Sequence, residues 1–85
     1  MKNLKFAPDA WADFEYWLDH SPETADKIRL LIKECSREPF KGIGKPEPLK
    51  HQLAGFWSRR ITKEDRMVYT VSGDTLIILQ LRRHY

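Results

Sequence analysis

The chain has 85 residues, of which 41% are hydrophobic and 32% are charged. A chain of this length is expected to form one domain over residues 1–85, with a single modest hydrophobic core. No apolar run approaches the roughly 18 residues that a membrane helix needs, and the first residues lack the apolar segment of a signal peptide. We therefore expect a cytoplasmic location and no membrane partner.

Charge is distributed unevenly along the chain. Residues 1–40 hold 6 Lys and Arg against 8 Asp and Glu, whereas residues 41–85 hold 9 against 4. A basic C-terminal half favours an anionic partner such as nucleic acid. Cys35 has no second cysteine to pair with, which agrees with a reducing compartment. The histidines, His20, His51 and His84, are scattered, so neither a metal site nor another cofactor is expected.

The first 20 residues predict a short strand followed by a helix. Residues 2–6 alternate polar and apolar side chains, which favours a strand. Pro8 and Asp9 suit the first turn of a helix, which should end near His20. Trp11, Phe14 and Leu18 have the spacing of a buried stripe. The acidic outer surface is predicted to hold Asp9, Asp13, Glu15 and Asp19.

Ser21 and Pro22 predict a second helix start, with serine as the N-cap and proline in the first turn. The apolar residues after it recur at helical spacing until Pro39 ends the helix. The two helices should therefore form an antiparallel hairpin. The buried side of the second helix is predicted to be Ala25, Ile28, Leu31, Ile32 and Cys35.

Residues 39–50 lack periodicity and are rich in glycine, proline and lysine, which predicts a long ordered loop. The sequence GIG within it does not match a phosphate-binding loop and is interpreted as a flexible turn. Glu47 lies between two prolines, which should keep it extended and exposed. The cations near it in the sequence are Lys45, Lys50, Arg59, Arg60 and Arg66. This lone carboxylate among cations suits an anionic ligand.

From Phe56 onwards the apolar period is two, which predicts three strands over residues 56–61, 66–72 and 75–85. Short connections, the second at Gly73 and Asp74, would join them into an antiparallel meander. The predicted order is β-α-α-β-β-β. This is an α+β fold, an antiparallel sheet with the two-helix hairpin packed on one face.

Alternation along these strands predicts which residues share a face. A five-residue connection places Arg60 opposite Arg66, and a three-residue loop over residues 73–75 places Arg66 opposite Arg82. The core face is predicted to hold Trp57, Ile61, Met67, Tyr69, Val71, Ile77, Leu79 and Leu81. The opposite, polar face is predicted to hold Ser58, Arg60, Arg66, Val68, Thr70, Gln80, Arg82 and His84.

Three interpretations of the polar face remain open from the residues alone. Cations directly opposite each other repel, so their clustering favours a bound anion such as phosphate. A carboxylate such as Glu47 and an imidazole such as His84 suit acid-base catalysis near neutral pH, where one can accept a proton and the other can donate one. The alternatives are a non-catalytic module that binds RNA or the ribosome, and a domain that only contacts a protein partner.

The segments KPEPLKHQLAGFWSRRIT and RMVY, with the terminal HY, closely resemble the YoeB-type toxins of the RelE superfamily. The resemblance is strongest over about residues 40–85, and the earlier residues agree in length and pattern. It implies a RelE-like, microbial-ribonuclease-like fold. It also implies a metal-free endoribonuclease that cuts mRNA in the ribosomal A site, by attack of a 2′-OH on the adjacent phosphate, and so inhibits translation.

The resemblance also implies roles for single residues. Glu47 would be the general base and His84 the general acid, while Arg66 and Arg60 would bind phosphate charge. Lys50 and Tyr85 would assist in substrate binding, and Arg82 joins this set from the polar face. A YefM-type antitoxin is the implied partner, and a homodimer is possible. Where the family pattern leads us to expect Arg-Tyr-His-Tyr, this chain ends Arg82, Arg83, His84, Tyr85, so Arg83 stands in place of a tyrosine.

Overall fold

The computed structural model describes residues 1–83, so the predictions made for His84 and Tyr85 lie outside the described residues. Two helices and a five-stranded sheet confirm the α+β fold. The elements are β1 (Asn3–Phe6), α1 (Pro8–His20), α2 (Pro22–Arg37), β2 (Glu47–Pro48), a 3-10 turn (His51–Leu53), β3 (Trp57–Arg60), β4 (Arg66–Ser72) and β5 (Thr75–Gln80).

The strand order in the sheet is β1-β5-β4-β3-β2. The predicted antiparallel meander is confirmed as β3, β4 and β5. Two features differ from the prediction. β1 pairs with β5 in parallel, which makes the sheet mixed, and Glu47–Pro48 form a short edge strand within the predicted loop. Alternation shows that a segment is a strand, but it does not show which neighbour the strand pairs with or in which direction.

The connection between β4 and β5 is tighter than predicted. Ser72 pairs with Thr75, so the turn contains only Gly73 and Asp74. This shift reverses the predicted faces of β5, and the core residues are Leu76 and Ile78 rather than Ile77 and Leu79. A register shift between Val68 and Tyr69 then reverses the faces of the strand a second time. Val68 therefore pairs with Gln80, and Gln80 lies on the polar face as predicted.

The helix predictions hold for α2 and fail in part for α1. Thr24 donates its backbone N–H to the Ser21 hydroxyl at 3.4 Å, which confirms the serine cap. All five residues predicted for the buried side of α2 are buried. On α1, however, Trp11 is 49% exposed and Leu18 is 46% exposed. Ala10 is instead the fully buried residue of α1, and Phe14 and Trp17 pack against the core.

Arg59 is completely buried, which corrects its inclusion among the cations that surround Glu47. It alternates with Arg60 in β3 and therefore points to the opposite face, beneath the helices. Its guanidinium donates to the carbonyl oxygens of Ile43, Lys41 and Glu38, at 2.9, 2.7 and 2.5 Å. It also donates to the Tyr69 hydroxyl at 3.2 Å. One buried cation thus holds the loop that follows α2.

Tyr69 extends this hydrogen-bond network. Its hydroxyl donates to the Pro39 carbonyl oxygen at 2.6 Å. Burial is the main cause that raises the pKa of Tyr69 to about 12, and the hydrogen bond from Arg59 opposes this rise. Burial likewise raises the pKa of the neighbouring Cys35 thiol, which agrees with its interpretation as a small apolar core residue.

The adjacent residues Arg59 and Arg60 form a matched pair for measuring how much the Arg59 hydrogen bonds contribute to stability. We expect Arg59→Ala to lower the free energy of unfolding by about 3 kcal/mol or more, because it empties a buried site and removes the charged donor of four hydrogen bonds. Arg60→Ala, which removes an exposed arginine from the next position, should change the free energy of unfolding by about 0.5 kcal/mol or less. Urea denaturation of both variants measures the difference, and equal losses would contradict the assigned role of Arg59.

The pKa of Tyr69 predicts a stability change at high pH. The folded protein holds the Tyr69 proton up to about pH 12, whereas an ordinary tyrosine loses it near 10. The stabilisation from this group is therefore fully present below pH 10 and is lost as the pH rises to about 12. The difference in unfolding free energy between the native protein and Tyr69→Phe should shrink over this range. A constant difference would contradict the assignment.

Candidate active site on the polar sheet face

Glu47 lies on the sheet itself rather than on a loop folded over it. It pairs with Ser58, which pairs with Val68, which pairs with Gln80, so these four residues form a row across β2 to β5. Directly opposite residues point to the same face of a sheet. Glu47 is exposed, as predicted, and its row lies on the face away from the helices.

The next row on this face contains the arginine pair. Arg60 pairs with Arg66, as the five-residue connection predicted. Residues two apart in a strand lie about 7 Å from each other on one face, so the arginine row adjoins the Glu47 row. The structure therefore places Glu47, Arg60 and Arg66 on one surface.

Arg66 carries an unusual polar atom. Its Nε is buried, and it has no hydrogen-bond partner among residues 1–83. Buried N–H groups are nearly always hydrogen-bonded, and Arg66 also lies opposite a like charge. An anion bound beside this row would offset the repulsion, and arginine binds phosphate oxygens through paired N–H groups.

The segment after β2 folds back over the polar face. Thr70 donates its hydroxyl to the Gly55 carbonyl oxygen at 2.9 Å, and Leu49 donates its N–H to the Phe56 carbonyl oxygen at 2.9 Å. An open groove of about 400 Å³ is lined by residues 47–53, which include Glu47, Lys50 and His51. Lys50 is thus placed beside Glu47, as predicted. His51 was given no role from the sequence, because a single histidine in a loop carries no distinctive spacing.

Gly44, three residues before Glu47, packs closely against β3 and the core. The Arg60 N–H donates to the Gly44 carbonyl oxygen at 2.7 Å. A Cβ atom on Gly44 would lie 2.9 Å from Leu31 Cδ2, and its φ of +83° is in the left-handed region that favours glycine. The GIG sequence therefore includes a point of close packing, which corrects its interpretation as a flexible turn.

Arg82 differs from its predicted position. β5 ends at Gln80, so no strand pair joins Arg66 to Arg82. The Arg82 guanidinium instead lies over the ring of Tyr16 on α1, 3.4 Å from the ring centroid. The terminal segment nevertheless lies beside Arg66, because the Arg66 N–H donates to the Arg83 carbonyl oxygen at 3.0 Å.

Sequence reasoning missed the residues that hold this terminal segment. The Asp65 carboxylate accepts the Arg83 N–H at 2.6 Å and the Thr62 hydroxyl at 2.7 Å. Asp13 accepts the Leu81 N–H at 3.0 Å, although it was predicted to lie on the acidic outer surface of α1. The spacing of Thr62 and Asp65 resembles a side-chain turn motif and could have indicated Asp65. Nothing in the sequence pattern indicates the contact of Asp13, which spans 68 residues.

The described part of the chain was also searched for metal-binding clusters and for membrane-spanning helices. Among residues 1–83, no three His, Cys, Asp or Glu side chains cluster so that they could hold a metal ion. No helix within the same residues is both long and apolar enough to span a membrane.

Comparison with known proteins identifies the family. A family model described as "YoeB-like toxin of bacterial type II toxin-antitoxin system" matches residues 6–85. The chain is 51% identical over 85 residues to "Toxin YoeB" of Mycobacterium bovis, covering 100% of both chains. The chain belongs to the YoeB-like toxin family. It is therefore a toxin of a type II toxin-antitoxin system.

Solved structures agree with this YoeB-like assignment. The "YoeB/ParE toxin from Agrobacterium tumefaciens" superposes with a TM-score of 0.95 at 47% identity, covering 98% of this chain and 99% of the other. A Staphylococcus aureus YoeB superposes with a TM-score of 0.90 at 40% identity, covering 98% and 97%. That protein was solved as a heterotetrameric YoeB-YefM complex and as a dimer.

Proposed function

We propose that this YoeB-like toxin is a metal-independent endoribonuclease that cuts mRNA in the ribosomal A site and so inhibits translation. The observation that carries the proposal is the arginine row, in which the buried Arg66 Nε has no hydrogen-bond partner within residues 1–83. This row adjoins the row of Glu47, so a bound phosphate would have a carboxylate nearby. Family membership supports the same chemistry.

The proposed reaction combines these positions with the roles that the family resemblance implies. Glu47 takes the proton of the ribose 2′-OH, and the 2′-oxygen attacks the adjacent phosphorus. The bond from phosphorus to the 5′-oxygen breaks, which leaves a 2′,3′-cyclic phosphate. His84 gives a proton to the departing 5′-oxygen. Every proton is thus moved by a side chain, so the step needs no metal ion.

The cations stabilise charge that builds up on the phosphate in the transition state. Arg66 is partly buried, which strengthens its interaction with an anion relative to the same contact in water. Arg60 is exposed and would contact a phosphate oxygen from the solvent side. Lys50 in the groove and Tyr85 at the terminus would bind neighbouring parts of the RNA. Arg82 would contribute through its contact with Tyr16, and so by positioning rather than by binding phosphate.

A non-catalytic module that binds RNA or the ribosome is the alternative. An exposed carboxylate on the binding face weakens attraction to phosphate, so a pure binding surface gains nothing from Glu47. The proposed enzyme needs that carboxylate as its base. Activity measurements on variants that still bind therefore separate the two functions.

We expect Glu47→Ala, Arg66→Ala and His84→Ala each to lower the rate of cleavage by about 10²- to 10⁴-fold, with smaller effects on binding to programmed ribosomes. Because the three groups act on one transition state, a double variant should lose less than the product of the single losses. Single-turnover cleavage at saturating toxin measures these rates, with toxin that has been treated with EDTA and exchanged into metal-free buffer before it is mixed with the ribosomes. Lys63→Ala, which removes an exposed cation from the turn after β3, is the matched control.

Near-normal rates for both Glu47→Ala and His84→Ala would contradict their roles as base and acid, whereas binding of the wild-type toxin to programmed ribosomes without cleavage would favour the binding module. Loss of wild-type cleavage after this EDTA treatment of the toxin would contradict a metal-independent reaction.

The proposed partners are the ribosome with its mRNA, a YefM-type antitoxin and a second copy of the chain in a homodimer, all in the cytoplasm. The Staphylococcus aureus relative forms a complex with YefM and also a dimer, which supports both protein partners. The basic polar face is the surface that an acidic antitoxin segment would fit best.

We expect such an antitoxin to slow amide hydrogen exchange in β4 and in the segment after β5, because these lie beside Arg66. Hydrogen exchange of the toxin alone and in the complex measures this. Protection confined to α1 and α2 would contradict an antitoxin site on the polar face.

A further inference from the structure

Three residues on one face of α1 hold the segment that follows β5. The Asp13 carboxylate accepts the Leu81 N–H at 3.0 Å, and the Trp17 indole N–H donates to the Leu81 carbonyl oxygen at 2.8 Å. Tyr16, between them, lies beneath the Arg82 guanidinium at 3.4 Å. Positions three and four apart share a helix face, so one side of α1 contacts two successive residues of the segment.

The same segment is held from its other side by the β3–β4 connection. Asp65 accepts the Arg83 N–H at 2.6 Å, and the Arg66 N–H donates to the Arg83 carbonyl oxygen at 3.0 Å. Arg83 has a φ of +65°, a left-handed conformation that costs about 1 kcal/mol in a residue other than glycine. Chain ends are usually poorly ordered unless specific contacts hold them. Here Leu81, Arg82 and Arg83 are all held by such contacts, although the Arg83 backbone is strained.

We propose that Asp13 and Trp17 are positioning residues for the cleavage reaction, because they set the direction in which the chain leaves Leu81 towards His84. This inference rests on the proposed function, in which His84 is the proton donor. His84 is three residues beyond Leu81, which limits its displacement from Leu81 to about 10 Å. A rotation of the peptide groups at Leu81 would therefore move the proton donor, and a misplacement of about 1 Å can cost 10² in rate.

Two substitutions remove the contacts and a third preserves one of them. Asp13→Ala removes the acceptor of the Leu81 N–H, and Trp17→Phe removes the indole donor but keeps an aromatic ring in the core. Each should lower kcat by about 10-fold or more and change KM less, because the sheet face that is proposed to bind phosphate is untouched. Asp13→Asn keeps an acceptor oxygen and should cleave at close to the wild-type rate. Asp19→Ala removes an exposed carboxylate of the same helix and is the matched control.

A double-variant comparison separates positioning from a general loss of stability. In a His84→Ala background the proton donor is absent, so adding Asp13→Ala or Trp17→Phe should cause no further loss of rate. A merely structural role would reduce the rate by the same factor in both backgrounds. Circular dichroism and thermal unfolding of each variant establish that the assay temperature lies below its unfolding transition, and Trp17→Phe decides the outcome if Asp13→Ala does not fold.

The two proposals fail in different ways. Absence of cleavage by the wild-type toxin on programmed ribosomes would overturn the ribonuclease function. Wild-type cleavage together with normal kcat in Asp13→Ala and Trp17→Phe would overturn the positioning role alone. Losses of equal size in the native and His84→Ala backgrounds would also overturn it.

Discussion

The candidate site depends most on the hydrogen bonds that the buried Arg59 guanidinium donates. It binds three carbonyl oxygens of the loop after α2 and the hydroxyl of Tyr69 in β4. A loop of this kind has few apolar side chains to bury, and Phe40 and Ile43 within it remain exposed. The loop is therefore ordered by hydrogen bonds from the core, which are strong because the donor is charged and removed from water.

The consequence for the site lies at the next residues of the chain. The loop ends at Gly44, whose carbonyl oxygen accepts the Arg60 N–H, and Glu47 begins β2 three residues later. Arg59 holds the loop from the core face of β3, while Arg60 carries positive charge on the opposite face. Strand alternation thus gives two neighbouring arginines separate positions: Arg59 holds the loop that leads to Glu47, and Arg60 is exposed on the polar face.

Local pattern in the sequence was enough to predict the helices, the buried side of α2, the exposure of Glu47 and the pairing of Arg60 with Arg66. Each of these follows from spacing, capping, flanking prolines or the length of a connection. The burial of Arg59 was missed because arginine is rarely buried, although its position in β3 assigns it to the core face. Its partners are carbonyl groups 16 to 21 residues away, whose positions no periodicity encodes.

The faces of β5 show a different limit of sequence reasoning. A three-residue loop was predicted where the turn has two residues, and that error moved Ile77 and Leu79 to the wrong face. The register shift near Val68 then compensated, so Gln80 still joins the polar row. An apolar run such as TLIIL fits either face equally well, and only packing against the helices decides between them. The contact of Asp13 with Leu81 could not be predicted from local pattern either, because it joins residues near opposite ends of the chain.

Attachment of the terminal segment through its main chain has a consequence for sequence variation. The N–H and carbonyl groups of Arg83 make the contacts, and its side chain is exposed. Any residue that tolerates the left-handed backbone could therefore stand at this position without loosening the attachment, and a β-branched residue is the type least suited to it. The exchange of an expected tyrosine for Arg83 is thus compatible with an unchanged path of the chain. It alters the charge and shape of the exposed surface at this position, so the surface chemistry at position 83 can change while the fold stays the same.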